Sequence, residues 1–110
     1  MKKLDPRFLK FFDFFNCEKF FEAHEVLELL WREADPKDRL FYQGLIQIAA
    51  AFVHVQRGTE KGAQELFKKA SQNLSGYLPL YKGVLLTQLL SETNTRLNHK
   101  TNFPKIFLQF

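Results

Sequence analysis

Two histidines, three glutamates and two glutamines sit in stretches of chain that are otherwise mostly apolar. The first stretch is Phe20-Phe21-Glu22-Ala23-His24-Glu25-Val26-Leu27-Glu28-Leu29-Leu30-Trp31-Arg32. The second is Phe41-Tyr42-Gln43-Gly44-Leu45-Ile46-Gln47-Ile48-Ala49-Ala50-Ala51-Phe52-Val53-His54. Polar groups withdrawn from water need partners, so these side chains should meet one another or a ligand. A histidine oriented by a carboxylate is the minimum for acid–base catalysis. His24 with Glu28, one helical turn on, or His54 with Glu25 could supply it. The candidate catalytic residues are therefore His24, Glu25, Glu28 and His54. Gln43, Gln47, Ala50 and His54 share one stripe of a helix, and an amide both donates and accepts. Gln43 and Gln47 would position a substrate, Glu22 is a further binding candidate, and Trp31 reads first as core packing, with a stacking wall for a ligand as the alternative.

Imidazole and carboxylate from facing helices are also how bundles hold divalent metals, with His24, Glu28 and His54 as the ligand candidates. The spacing does not match an established site. His24-Glu25-x-x-Glu28 has one histidine, so the two-histidine zinc-protease pattern and the paired Glu-x-x-His of di-iron bundles are both missing. No metal or cofactor is assigned on this basis, and a divalent ion stays an alternative. No serine or threonine stands beside these groups as a nucleophile. Gly58-x-x-x-Gly62 lacks the Lys-Ser/Thr ending of a phosphate loop. His99, among Asn98, Lys100 and Thr101, reads as solvated. A structural role competes with all of these: the same groups could satisfy one another across a helix–helix contact and fix its register.

The elements that must carry these residues are helices. Asp5 can cap and Pro6 can start a first helix over 6–15, with Phe8, Phe11, Phe12 and Phe15 as its apolar stripe. Asn16 is expected to end it and cap a second helix over 17–34, which stops before Asp35-Pro36. Val26, Leu29 and Phe21 lie on the side that also carries Glu22 and Glu25, so those carboxylates are expected to be partly buried. A third helix over 37–57 ends at Gly58. Thr59 can cap a fourth over 59–76, closed by Gly76 and Pro79. Leu85, Leu86, Leu89, Leu90 and Leu97 suggest a fifth over 84–97. The tail 98–110 carries Phe103, Ile106, Phe107, Leu108 and Phe110, too apolar to be free, and is expected to pack on the bundle. No alternation long enough for a strand is visible.

A chain of 110 residues is the size of one domain. Its 13 phenylalanines imply a core of flat rings or an aromatic surface kept for a partner. The net charge of +4 is spread over interspersed signs, with only short basic groups such as Lys2-Lys3 and Lys68-Lys69, which argues against nucleic acid. Cys17 is the single cysteine, so no intrachain disulfide forms and the cytoplasm is the expected location. Met1-Lys2-Lys3 is not followed by the apolar core of a secretory signal. The segment 40–56 comes nearest to a membrane span, but Gln43, Gln47 and His54 interrupt it.

Phe15-Asn16, Phe20 to Glu28 and Trp31-Arg32, then Gln43-Gly44-Leu45-Ile46-Gln47, Ala49-Ala50, His54, Arg57-Gly58 and Gly62-Ala63 form a recognisable text. It resembles the signature of the domain-of-unknown-function 309 family, small helical proteins of bacteria, archaea and the plastid lineage. The resemblance covers about residues 8–85. It implies a compact all-helical fold, with Glu22, His24, Glu25, Trp31, Gln47 and His54 among the signature positions, and it implies no activity. Two positions depart from the family pattern. Thr59 stands where Asn usually follows the glycine, and Leu85 stands where Asp often follows Gly-Val. If that Asp belongs to a site, part of the site is missing here.

The expected architecture is all-α, a compact bundle of about five helices forming a single domain over residues 1–110. Two functions stay open. One is a binding or self-associating module, a homo-oligomer or a partner of another protein or small ligand, whose His/Glu/Gln cluster is chiefly structural. The other is a small hydrolase-like enzyme using that cluster for acid–base or metal-assisted chemistry.

Overall fold

Asp5 and Pro6 start the first helix as their chemistry dictates. The Asp5 carboxylate accepts from the Arg7 backbone N–H at 2.8 Å, and Pro6 occupies a position where no hydrogen bond is lost. The structure, a computed structural model, describes residues 4–99 and 101–110; the basic pair Lys2-Lys3 and Lys100 lie outside them. Helix α1 (Pro6–Asn16) buries Phe8, Phe11, Phe12 and Phe15, the stripe read from the sequence. Glu18 then turns the chain with a left-handed φ of 61°, and the Lys19 N–H closes on the Phe14 carbonyl at 2.9 Å. Helices α2 (Phe20–Glu33) and α3 (Pro36–Gln56) follow, with Pro36 again in the first turn. Helix α4 (Glu60–Leu74) and helix α5 (Leu86–His99) complete the all-α architecture, five helices in one compact body with a radius of gyration of 12.9 Å.

Between α4 and α5 the chain forms what the sequence reading omitted. A single 3₁₀ turn (Ser75–Tyr77) leads into an antiparallel hairpin of β1 (Leu80–Tyr81) and β2 (Val84–Leu85). Leu80 lies opposite Leu85 and Tyr81 opposite Val84. Lys82 and Gly83 both take positive φ, 47° and 82°, the requirement of a two-residue turn matched to strand twist. Strands this short carry no periodic signal. The expected fifth helix therefore begins at Leu86, after the hairpin.

The core is a chain of rings. Phe15 meets Phe20 at 5.1 Å between centroids, and Phe20 meets Phe52 of α3 at 5.0 Å. Phe103, from the extended segment after α5, stacks on Phe20 and Phe52 at 4.9 and 5.2 Å. Asn16 was expected to cap α2. Instead its side-chain amide donates to the Ile106 carbonyl at 2.8 Å and accepts the Ile106 N–H at 2.7 Å. Helix α2 has no side-chain cap. Phe21, Phe107 and Phe110 remain exposed. Among the described residues no helix is long and apolar enough to cross a membrane.

Candidate functional site

On α2, His24 and Glu28 fall one turn apart because the helix places i and i+4 above each other. His24 Nε2 lies 3.6 Å from Glu28 Oε2, and Glu28 Oε1 lies 3.6 Å from Arg32 Nη2. All three side chains are partly open to water, so this ladder contributes little to stability. Its imidazole stays accessible. Arg39 of α3 and Arg57, the residue that ends α3, flank the ladder. Arg57 lies 5.9 Å over the ring of Phe21, whose centroid is 6.0 Å from the His24 ring. Arg39 lies 5.5 Å over Trp31, whose indole N–H finds no partner among the described residues.

Glu22 and Glu25 were expected to be partly buried, but both are exposed. They edge a shallow depression between α1 and α2 floored by Phe14, Val26 and Leu29. Helix α2 is covered by α1 and α3 only along its Phe20, Ala23, Leu27 and Leu30 face. Among the described residues, Phe21 and Leu29 on its outer side stay exposed.

The polar groups of α3 turn towards α4. Asn73 donates its side-chain amide to Gln47 Oε1 at 2.8 Å. His54 Nδ1 lies 2.7 Å from the Thr59 hydroxyl, which also lies 3.1 Å from the His54 carbonyl oxygen. A hydroxyl has one hydrogen. In the arrangement that satisfies both contacts, Thr59 donates to the carbonyl and His54 donates through Nδ1, leaving Nε2 as an acceptor. Thr59 is therefore drawn back to α3 and makes no side-chain cap for α4, contrary to the sequence reading. Two glycines permit the approach of these antiparallel helices. A Cβ on Gly44 would sit 2.4 Å from Leu74 Cγ, and one on Gly62 would sit 2.8 Å from His54 Nδ1. Gln43 is half-buried on the same side of α3.

The fold thus brings His24 to Glu28, Gln47 to Asn73 and His54 to Thr59. Among the described residues no hydrogen bond or ion pair joins the His24 group to the His54 group. Nor do three His, Cys, Asp or Glu side chains gather as metal ligands among them, so His24, Glu28 and His54 do not form one ligand set.

A different cluster escaped the sequence reading. Asp38 of α3 is buried; it accepts from the Tyr81 hydroxyl at 2.5 Å and lies 3.5 Å from Lys82 Nζ. The hydrogen bond to Asp38, reinforced by burial, pushes the Tyr81 phenol up to about 12. Burial, with the charge of Asp38 second, pushes Tyr42 up to about 12 as well. The available signal was position: Asp38 lies three, four and seven residues before Phe41, Tyr42 and Leu45, on the stripe that faces the core.

The profile of the family described as "Domain of unknown function (DUF309)" matches residues 8–66, from α1 into α4. Those residues include His24, Glu28, Gln47, His54, Thr59 and Gly62. The uncharacterized protein YpuF of Bacillus subtilis (strain 168) is 40% identical over 55 residues, which are 49% of this chain. The same stretch is 32% of that relative, so the match spans about a third of its length. With more than half of its residues under the family profile, and with the helices and signature side chains placed as described, this chain belongs to the domain-of-unknown-function 309 family.

Proposed function

We propose that this chain is a helical interaction module in which the signature polar residues hold the helices in register while other surfaces meet a partner. One observation carries the reading: Gln47–Asn73 bridges α3 and α4, and His54–Thr59 closes the turn between them, where glycines let the two helices approach. Hydrogen bonds placed at a close, glycine-lined crossing specify one register and disfavour sliding. The partner is a second protein surface or a small ligand, and the site of action is the cytoplasm.

The test is a double-mutant cycle on Gln47→Ala and Asn73→Ala, followed by urea unfolding. The expected coupling is roughly 0.5–1.5 kcal/mol, the range for one intramolecular hydrogen bond. Zero coupling, together with a rise in melting temperature on adding zinc, manganese or magnesium, would sink this reading. It would favour the hydrolase-like one, with His24, Glu25, Glu28 and His54 in chemistry and Glu22, Trp31, Gln43 and Gln47 around the substrate. What supports that second reading is the accessible His24 imidazole beside Glu28.

A further inference from the structure

The hairpin has two faces of different use. Tyr81 and Val84 turn inward, Val84 fully buried and Tyr81 bonded to Asp38. Their neighbours Leu80 and Leu85 pair across the strands on the opposite face, 47% and 37% exposed. Leu85 and Phe107 line one cavity of about 60 Å³, so the exposed ring of Phe107 continues the same surface. Leu9 of α1, also exposed, shares a second depression with Phe107 and extends the patch. The ring of Phe110 lies against Gly83 at the tip of the turn, and most of it faces solvent. Contiguous large apolar side chains on one face mark an interaction surface, because solvent exposure of that much apolar area is unfavourable.

The charges around this patch indicate the occupant. Lys82, at the turn, is folded inward, with Nζ 3.5 Å from Asp38 and 5.7 Å from the centroid of the Tyr81 ring. Lys105 and Glu92 both line the cavity beside Leu85, and Glu92 accepts from Gln88 at 2.8 Å. Its rim therefore carries one cation and one anion. An anionic lipid surface or an acidic segment would need a basic rim, which these residues do not make. With Asp13 beside the depression of Leu9 and Phe107, the patch carries both signs, and a two-fold contact between copies offers Lys105 of each the carboxylates of the other. The cavity beside Leu85 has room for the tip of a partner's side chain.

We infer that the Leu80–Leu85 face with Phe107 is the surface through which two copies of this chain associate. This deepens the interaction-module reading by naming its partner. Its test uses none of the residues of the Gln47–Asn73 cycle, so the two fail separately.

Sedimentation equilibrium of the full chain, over a range of concentration and salt, tests it. The wild type should dimerise, and the affinity should hold or strengthen as salt screens the repulsion between two chains of net charge +4. Leu85→Asp and Phe107→Ser should each weaken the dimer at least about tenfold, roughly one buried apolar side chain or one unpaired charge at an interface. Leu40→Asp, at an exposed leucine of α3 outside the patch, should leave it unchanged. Each variant is checked for an unchanged cooperative melt, and either patch variant that melts normally suffices. A strict monomer at all concentrations overturns the inference, as does a dimer that neither patch variant weakens. Co-sedimentation with phosphatidylserine vesicles that falls with salt and is lost in Leu85→Asp would give the patch to a lipid surface instead, and would equally overturn it.

Discussion

Tyr81 commits its hydroxyl to Asp38, the buried carboxylate, and that contact ties the hairpin to the middle helix. Replacing Tyr81 with Phe leaves Asp38 with Lys82 alone, so unfolding free energy should drop by roughly 1–3 kcal/mol. The pH dependence has a definite sign. In the folded chain the Tyr81 phenol is pushed up to about 12 from an ordinary value near 10.0. Between those values the unfolded chain gives up the proton first, so stability is complete below about pH 10 and falls as pH rises towards 12. Tyr42 adds a fall in the same window. Denaturation of Tyr81→Phe at about pH 9 and about pH 11 should show a shallower alkaline loss than the wild type. An equal slope in the two proteins would refute the assignment. Asp38 was hidden from sequence reading because its partner lies 43 residues away, whereas His24 and Glu28, one turn apart, were legible from spacing alone.

At the level of helices, the contact of α3 with α4 depends on a missing side chain. A methyl group at Gly44 would overlap Leu74, itself fully buried with no room to yield. Gly44→Ala should therefore destabilise by roughly 1–3 kcal/mol, the range for overpacking, despite alanine's better helix propensity. A variant as stable as the wild type by thermal and urea unfolding would contradict this close approach. Helix starts were readable because Asp5-Pro6 and Asp35-Pro36 act locally. The phenylalanine stripe of α1 was readable because its period is local too. Thr59 was misread because its hydroxyl has two competing bonds, and the nearby end of α3 offers the better one. The hairpin was missed because each strand is two residues long and its register rests on the Lys82-Gly83 turn.

Across the whole molecule, the first helix and the last residues are fastened by one side chain. Asn16 satisfies both backbone groups of Ile106, a residue 90 positions later. Asn16→Ala should release two hydrogen bonds, lower stability by about 2 kcal/mol and open the segment 101–110 to limited proteolysis before the bundle unfolds. Cleavage only at the rate of global unfolding would show that the rings, not Asn16, hold the segment. The apolar character of 101–110 indicated packing in advance; the seat at Asn16 needed the fold. Spacing suggested that the two histidines meet; among the described residues each has its own partner instead, His24 with Glu28 within α2 and His54 with Thr59 just past the end of α3.

Phe103 lies over Phe20 and Phe52, and Ile106 reaches Asn16. While such a chain is being made, those two rings stay wet until residues 103–106 clear the ribosome. At synthesis rates of about 5–20 residues per second the exposure lasts while the stretch from Phe52 to Phe103 is added. A chain cut before Phe103 would leave the Phe20 and Phe52 rings without that cover, and bare aromatic surface of this kind favours aggregation.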